Sequence, residues 1–139
     1  MNIYSKVDSK ILLHSINRFK DIEKRKDISP ENEFIQVASF KLNSENTFFP
    51  HKHLYKKINY DQVIAQESWV IVKGKVDVHY YDLDDSFIST YTLNEGDCSI
   101  TYRGGHTYTA KEDGTIVYEF KTGPYYGKDL DKIQIEKKH

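Results

Sequence analysis

Three histidines and one carboxylate are the residues of this chain whose types and spacing are best suited to chemistry. His51 and His53 stand one residue apart, a spacing that places both imidazoles on the same side of a strand. Glu67 precedes the apolar run 69–72, and His106 follows two glycines. Imidazole and carboxylate ligands together suit a divalent transition metal such as Fe, Mn, Ni or Zn, and the ligand types do not choose among these. The sequence therefore predicts a metal site made of His51, His53, Glu67 and His106.

Each of these four residues also has a plainer interpretation. A His-x-His pair occurs on solvated strands, and a glutamate at the start of an apolar strand can simply lie at its rim. His106 can be a turn histidine in solvent. Thirteen residues separate His53 from Glu67, so Glu67 can also be displaced from a ligand position, with Gln66 and Asp61 as the nearest substitutes.

Two further pairs of residues are candidates for catalysis and substrate binding. Glu119 and Lys121 alternate along one strand and so share one of its faces. If that face is interior they are candidate catalytic acid and base groups, and if it is exterior they form a surface ion pair of little energetic value. Tyr102 and Tyr108 are candidates for the mouth of a binding pocket, although aromatic strand residues more often serve packing.

The bulk composition excludes several classes of function. The chain has 139 residues, which predicts one domain, and its 11 Tyr and 7 Phe favour β-strands. Its net charge of -1 provides no positive field for nucleic acid or an anionic membrane. The single cysteine, Cys98, has no internal disulfide partner, and the first residues lack the apolar run of a signal peptide. We therefore expect a cytoplasmic protein.

Short strands separated by glycine and aspartate turns dominate the predicted secondary structure. Turns recur at intervals of roughly ten residues, which is typical of a β-sandwich or barrel. The segment Leu54–Gln62 is predicted to be a lid-like loop over the site, and Ile133 and Ile135 alternate as if in a last edge strand. The predicted strands are Ile11–Ile16, Phe34–Leu42, Thr47–His53, Val63–Lys73, Val76–Tyr81, Phe87–Leu93, Cys98–Tyr102, His106–Lys111 and Thr115–Lys121.

The motifs that contain these residues resemble those of the cupin superfamily. His51-Lys52-His53 and the later Glu67–Gly74 match the two halves of the first cupin motif. Gly96-Asp97 opens the second motif, and Gly104-Gly105-His106 closes it. The resemblance implies an all-β, jelly-roll barrel in a single domain, with a core at about 34–122, a short N-terminal extension over 1–33 and a tail over 123–139. It also implies a homodimer, because small cupins usually pair.

The chain is most similar to small, stand-alone bacterial cupins that carry a Gln-Glu pair, here Gln66-Glu67, before the core strand. That group lies near cupins that act on nucleotide-linked sugars. The resemblance implies a sugar or nucleotide sugar as ligand, isomerase-like or epimerase-like chemistry, and Gln66 as a substrate-binding residue. Two alternatives stay open: a non-catalytic module that binds a carbohydrate or small acid, and an Fe(II) dioxygenase.

Overall fold

The computed structural model describes residues 1–59 and 62–136, and regular structure in this part of the chain is almost entirely β. A single 3-10 turn at Phe19–Asp21 and one short helix, α1 at Lys128–Asp131, are the helical elements described. No described helix is long and apolar enough to cross a membrane. The strands are β1 Asn2–Tyr4, β2 Leu12–Asn17, β3 Lys26–Asp27, β4 Ala38–Ser39, β5 Glu67–Lys73, β6 Lys75–Tyr81, β7 Phe87–Asn94, β8 Cys98–Thr101, β9 Gly105–Ala110 and β10 Ile116–Lys121.

These strands form antiparallel sheets. The larger sheet has five strands in the order β1-β2-β8-β5-β10, and a second sheet has three in the order β7-β6-β9. The short strands β3 and β4 pair with each other. The prediction of an all-β protein is confirmed, and the antiparallel sheets are compatible with a barrel or jelly roll. The residues predicted as an N-terminal extension supply β1 and β2, and β2 pairs with β8 inside the larger sheet.

The main core lies between the two sheets and follows from simple alternation. In β6, Val76, Val78 and Tyr80 are buried while the residues between them are partly exposed. Because successive side chains point to opposite faces of a strand, this pattern gives β6 one apolar face. That face packs against residues of the larger sheet, with Ile3, Ile16, Ile71 and Leu93 completing the cluster.

A second cluster covers the other face of the larger sheet. Residues 28–37 lie across it, and Ile35 packs there against Ile100 and Tyr102. A set of polar contacts holds residues 28–37 in place. The Arg103 guanidinium donates to both carboxylate oxygens of Glu33 at 2.7 and 3.1 Å, and Gln66 donates to Glu33 at 2.8 Å. We call this set, Glu33, Gln66 and Arg103, the clasp.

The strand predictions hold in the second half of the chain and fail in part of the first. Five predicted strands correspond to β6 through β10, and the run Ile11–Ile16 corresponds to β2. Within the predicted strand Phe34–Leu42, only Ala38–Ser39 pairs, and β5 begins at Glu67 rather than Val63. The tail has the helix α1 and no strand through Ile133 and Ile135 among the described residues.

The predicted strand Thr47–His53 is wrong. Its residues have no regular structure and are exposed, as are residues 40–59 as a whole. The alternation of Phe49, His51 and His53 resembles a strand, but a strand also needs a neighbour to satisfy its backbone groups. Pro50 in its centre lacks a backbone donor and weakens any such pairing.

Candidate functional site

The candidate site is a cavity of about 1260 Å³ between the two sheets. Strand β5 of the larger sheet and strand β9 of the smaller sheet supply facing side chains. On β5, Glu67 and Trp69 point to the cavity side, and on β9 His106 and Tyr108 do so. The two strands therefore meet in two successive cross-sheet contacts, one polar and one aromatic.

The polar contact joins Glu67 and His106. The His106 Nε2–H donates to Glu67 Oε1 at 3.2 Å, and both side chains are largely sheltered, at 15% and 22% exposure. The turn before β9 sets the position of His106. Gly104 has φ +73°, and a Cβ there would lie 2.6 Å from the Tyr81 carbonyl oxygen. Glycine tolerates this positive φ, so the turn can approach Tyr81 closely and direct His106 toward the cavity.

Glu119 extends the polar contact to a third residue. It pairs in register with Trp69 on the neighbouring strand and borders the same cavity as Glu67. Burial and the neighbouring charge of Glu67 raise the pKa of Glu119. Burial acts against ionisation of Glu67 too, but hydrogen bonds and the charge of His106 lower its pKa overall.

Lys121 lies beside this pair as a fixed cation. Its Nζ is 3.4 Å from an Asp131 oxygen, 3.8 Å from Glu119 and 4.3 Å from the centre of the Tyr125 ring. Desolvation acts to lower the pKa of Lys121, yet the bond and charge of Asp131 raise it. Lys121 therefore stays protonated near neutral pH, which suits it to stabilising negative charge rather than to acting as a base.

The aromatic contact joins Trp69 and Tyr108. Their rings stack with centroids 3.8 Å apart and an interplanar angle of 3°. The Tyr108 hydroxyl is hydrogen-bonded to the Ser99 hydroxyl at 2.9 Å, which fixes the ring. The sequence singled out Tyr108 but not Trp69. The signal that identifies both is the matching Glu67-x-Trp69 and His106-x-Tyr108 spacing.

A second contact across the sheets was also missed. His14 on β2 stacks on Tyr80 of β6 with centroids 3.9 Å apart, and its Nδ1 is 3.0 Å from the Thr101 hydroxyl. Both rings are fully buried. Burial, reinforced by the charge of His106, lowers the pKa of His14 to about 3. His14 is thus a neutral strand residue with a hydrogen-bonded ring.

Two of the predicted substrate-binding residues, Gln66 and Tyr102, are held in contacts that stabilise the fold. Gln66 borders the cavity but is 2% exposed, and its amide is engaged in the clasp and with the Ile35 backbone N–H at 2.7 Å. Tyr102 is fully buried in the cluster on the far face of the larger sheet. The strand alternation explains this, since Tyr102 has the opposite parity to Thr101, which lines the cavity.

The structure does not bring all four predicted metal ligands together. His51 and His53 are exposed, their rings 5.3 Å apart, and neither lines the cavity that holds Glu67 and His106. Residues 1–59 and 62–136 contain no group of three or more His, Cys, Asp or Glu side chains arranged to hold a metal ion. Asp61, the predicted substitute ligand, lies outside the described residues. Of the loop Leu54–Gln62, no described residue lines the cavity, whereas Ile64 and Ala65 do.

Comparisons with known proteins identify no relative. No family model matches the chain, and neither a curated protein nor a solved structure matches it.

Proposed function

We propose that the protein binds a sugar or nucleotide sugar in the cavity and catalyses isomerisation or epimerisation next to a carbonyl by acid–base chemistry. The observation that carries this proposal is that Glu67, hydrogen-bonded to His106 at 3.2 Å, lines one cavity together with Glu119 and Lys121. The pKa of Glu67 is lowered and that of Glu119 is raised, and two carboxyl groups whose pKa values are moved apart are the arrangement that acid–base enzymes use.

The roles follow from the directions of the two pKa shifts. Glu67, the ionised partner, removes the proton from the carbon next to the carbonyl, and His106 orients it. Glu119, whose raised pKa favours its protonated form, donates a proton to the carbonyl oxygen, and an enediol results. The enediol then gains a proton on the neighbouring carbon, or on the opposite face of the same carbon, while the Glu119 carboxylate accepts a proton from an enediol hydroxyl, which restores a carbonyl and gives the isomer or the epimer. Lys121 stabilises the negative charge that develops on the substrate oxygen.

Deuterium exchange tests this proposal directly. The wild-type protein is incubated in D₂O with free keto sugars and with keto forms of nucleotide sugars, and proton NMR follows the signal next to the carbonyl. Loss of that signal is expected for the wild type. Glu67→Gln and Glu119→Gln should lower the rate roughly 10²- to 10⁴-fold, whereas Glu112→Gln, at an exposed ion pair with Lys75, should not.

Two outcomes would contradict the proposed reaction. Equal exchange rates in the wild type and in Glu67→Gln would remove Glu67 as the base. Binding of a sugar without any exchange would favour the non-catalytic binding module. The fold proposal that accompanies this function is a cupin barrel, supported by the antiparallel sheets and by the motif residues Glu67–Gly74 and Gly104-Gly105-His106.

We also propose that the protein binds a divalent transition metal, because imidazole and carboxylate ligands suit such an ion. Glu67 and His106 already converge at 3.2 Å, and His51 and His53 would have to approach them with the exposed segment that carries them. As placed, these residues do not form a metal site, so no catalytic step is assigned to a metal. Elemental analysis of the purified wild type against His51→Ala/His53→Ala tests the site. Unchanged metal content in the variant would reject it, and bound iron with oxygen uptake would favour the dioxygenase.

We also propose a homodimer and a cytoplasmic location. The outward face of β10 supports the dimer, because Ile116, Tyr118 and Phe120 are each more than half exposed there. That strand lies at an end of the larger sheet. Exposed apolar edges of this kind are usually covered by a partner. The cytoplasmic location rests on the single cysteine, as the sequence indicated.

A further inference from the structure

The residues that follow β10 come back to border the cavity that holds Glu67 and His106. The lining includes Lys128 of α1 and every residue from 131 to 136. Of these, residues 132–134 and 136 are also exposed to solvent. This part of the chain therefore has the cavity on one side and water on the other. We call residues 128–136 the strap.

One side chain of the strap, that of Ile135, packs directly on Gly105. A Cβ at Gly105 would overlap the Ile135 Cδ1 atom and would lie 3.5 Å from its Cγ1. Gly105 is not among the glycines with positive φ, so its backbone conformation does not require glycine. The missing side chain instead leaves room for Ile135. Because Gly105 directly precedes His106, this contact holds the strap beside the polar end of the cavity.

The second contact of the strap is an ion pair. The Lys121 Nζ is 3.4 Å from an Asp131 carboxylate oxygen, and the two side chains are 25% and 12% exposed. Within residues 1–59 and 62–136, no backbone hydrogen bond joins the strap to either sheet. A segment held by few contacts opens at low free energy. The strap can therefore lift while both sheets stay folded.

We propose that the strap is a lid, which covers the cavity as described above and lifts to admit a ligand when Ile135 leaves Gly105 and Asp131 releases Lys121. The inference rests on the proposed function for the nature of the ligand, since it concerns the same cavity. Lifting also frees the Lys121 ammonium group to bind the substrate oxygen on which negative charge develops. The ion pair with Asp131 thus keeps that cation occupied until a ligand enters.

Chemical modification of His106 measures the lid without any ligand. Diethyl pyrocarbonate acylates accessible neutral imidazoles, and peptide mass spectrometry follows His106 separately from the other histidines. The exposed His51 and His53 serve as internal controls, and their rates should be the same in every variant. Ile135→Ser weakens the apolar contact with Gly105, so it should speed the modification of His106 roughly fivefold or more.

Two further variants separate the contributions of the strap residues. Asp131→Asn weakens the ion pair with Lys121 and should speed the modification of His106 roughly twofold. Ile133→Ser, at a 92% exposed residue of the same strap, is the matched control and should leave the rate unchanged. Far-UV circular dichroism checks that every variant is folded.

A disulfide can hold the lid closed. Since the Ile135 Cγ1 lies 3.5 Å from the Cβ position at residue 105, a cysteine sulfur at residue 135 is within reach of a second cysteine. In Gly105→Cys/Ile135→Cys, the oxidised protein should modify His106 at least roughly fivefold more slowly than the reduced protein. The reduced protein is the matched control, because it carries the same two substitutions. Failure of the pair to crosslink would contradict the closed position of Ile135.

The lid and the reaction can fail separately. If His106 is modified at the wild-type rate in Ile135→Ser, or equally fast in the oxidised and reduced cysteine variant, the strap is not a lid. Deuterium exchange into a keto sugar should also be slower in the oxidised than in the reduced form. Exchange that the crosslink leaves unchanged retains the reaction and rejects the lid. A wild type without exchange, whose His106 still responds to the crosslink, retains the lid and rejects the reaction.

Discussion

At the scale of single residues, the central feature is that Glu67 and Glu119 line one cavity and have pKa values shifted in opposite directions. The sequence identified Glu67, His106, Glu119 and Lys121, because motif spacing and strand parity are both local properties. It did not establish that Glu67 and Glu119 line the same cavity. Their placement depends on the register of β5 against β10, which no local pattern specifies.

The raised pKa of Glu119 has a consequence for stability. The folded-state pKa of Glu119 is raised, so its ionisation costs folding energy as pH rises above the ordinary glutamate value. Glu119→Gln removes that cost, and because Glu119 is 41% exposed the gain should be small, about 1–2 °C in Tm at pH 7.5. Near pH 4, where Glu119 is protonated in both states, the difference should vanish. Differential scanning calorimetry at the two pH values measures it, and a lower Tm for the variant at pH 7.5 would contradict the raised pKa of Glu119.

At the scale of elements, the strands that pair with chain neighbours were predicted well and the segments at 34–59 were not. Hairpins such as β6–β7 have their register fixed by a short turn, so alternation and a turn suffice to predict them. Residues 28–37 instead cover a sheet formed by distant strands, and the clasp that holds them joins Glu33 to Arg103. Contacts over 70 residues are outside the reach of pattern analysis.

The clasp should be important for stability. The Glu33 side chain is 7% exposed and receives donors from Arg103 and Gln66. Glu33→Ala leaves those donors without their acceptor, so we expect a loss of about 1–3 kcal/mol in the free energy of unfolding, measured by urea denaturation. Asp27→Ala, which breaks the exposed ion pair with Arg25, is the control and should cost less than about 0.5 kcal/mol. Equal losses in the two variants would show that the clasp stabilises the fold no more than an exposed ion pair does.

The turn before β9 allows a similarly matched comparison. Gly104 and Gly114 have nearly equal positive φ values, +73° and +72°, but only Gly104 is crowded, by the Tyr81 carbonyl. Gly114→Ala should cost about 1–2 kcal/mol from its backbone conformation alone, and Gly104→Ala about 3 kcal/mol or more because the carbonyl must also move. Urea midpoints of the two variants compare these costs. Similar midpoints would mean that the turn adjusts freely, and then it would not hold His106 in place.

At the scale of the whole molecule, the all-β class was predictable from composition and turn spacing, whereas the order of the strands within the two sheets was not. Which residues stand exposed on the surface was not predictable either. Composition shows that aromatic residues are abundant, but only the sheet order reveals that Tyr118 and Phe120 stand exposed on the last strand of the larger sheet.

This exposed face makes the homodimer testable. Light scattering after size exclusion should give twice the 16.3 kDa chain mass for the wild type. Tyr118→Glu/Phe120→Ser places a charge and a polar group on the face and should raise the dimer dissociation constant more than tenfold. Leu130→Ser, at an 80% exposed leucine of α1, is the control and should stay dimeric. A variant pair that dimerises as the wild type does would place the interface elsewhere.

The buried carboxylate of Asp82, at the end of β6, determines how the molecule should respond to acid. It accepts hydrogen bonds from the Ser5 hydroxyl and from the backbone N–H groups of Lys6 and Leu83, and so ties the segment after β1 to the smaller sheet. Burial alone would raise its pKa, but these bonds lower it, so the tie is complete at neutral pH and fails as pH falls through that lowered pKa. The protection of the Lys6 amide against hydrogen exchange, relative to its intrinsic rate, should therefore fall on acidification before that of the β5 and β8 amides. Asp82→Asn should remove that pH dependence. The first part of the protein to open in acid would then be its first ten residues, while the sheets around the cavity are still folded.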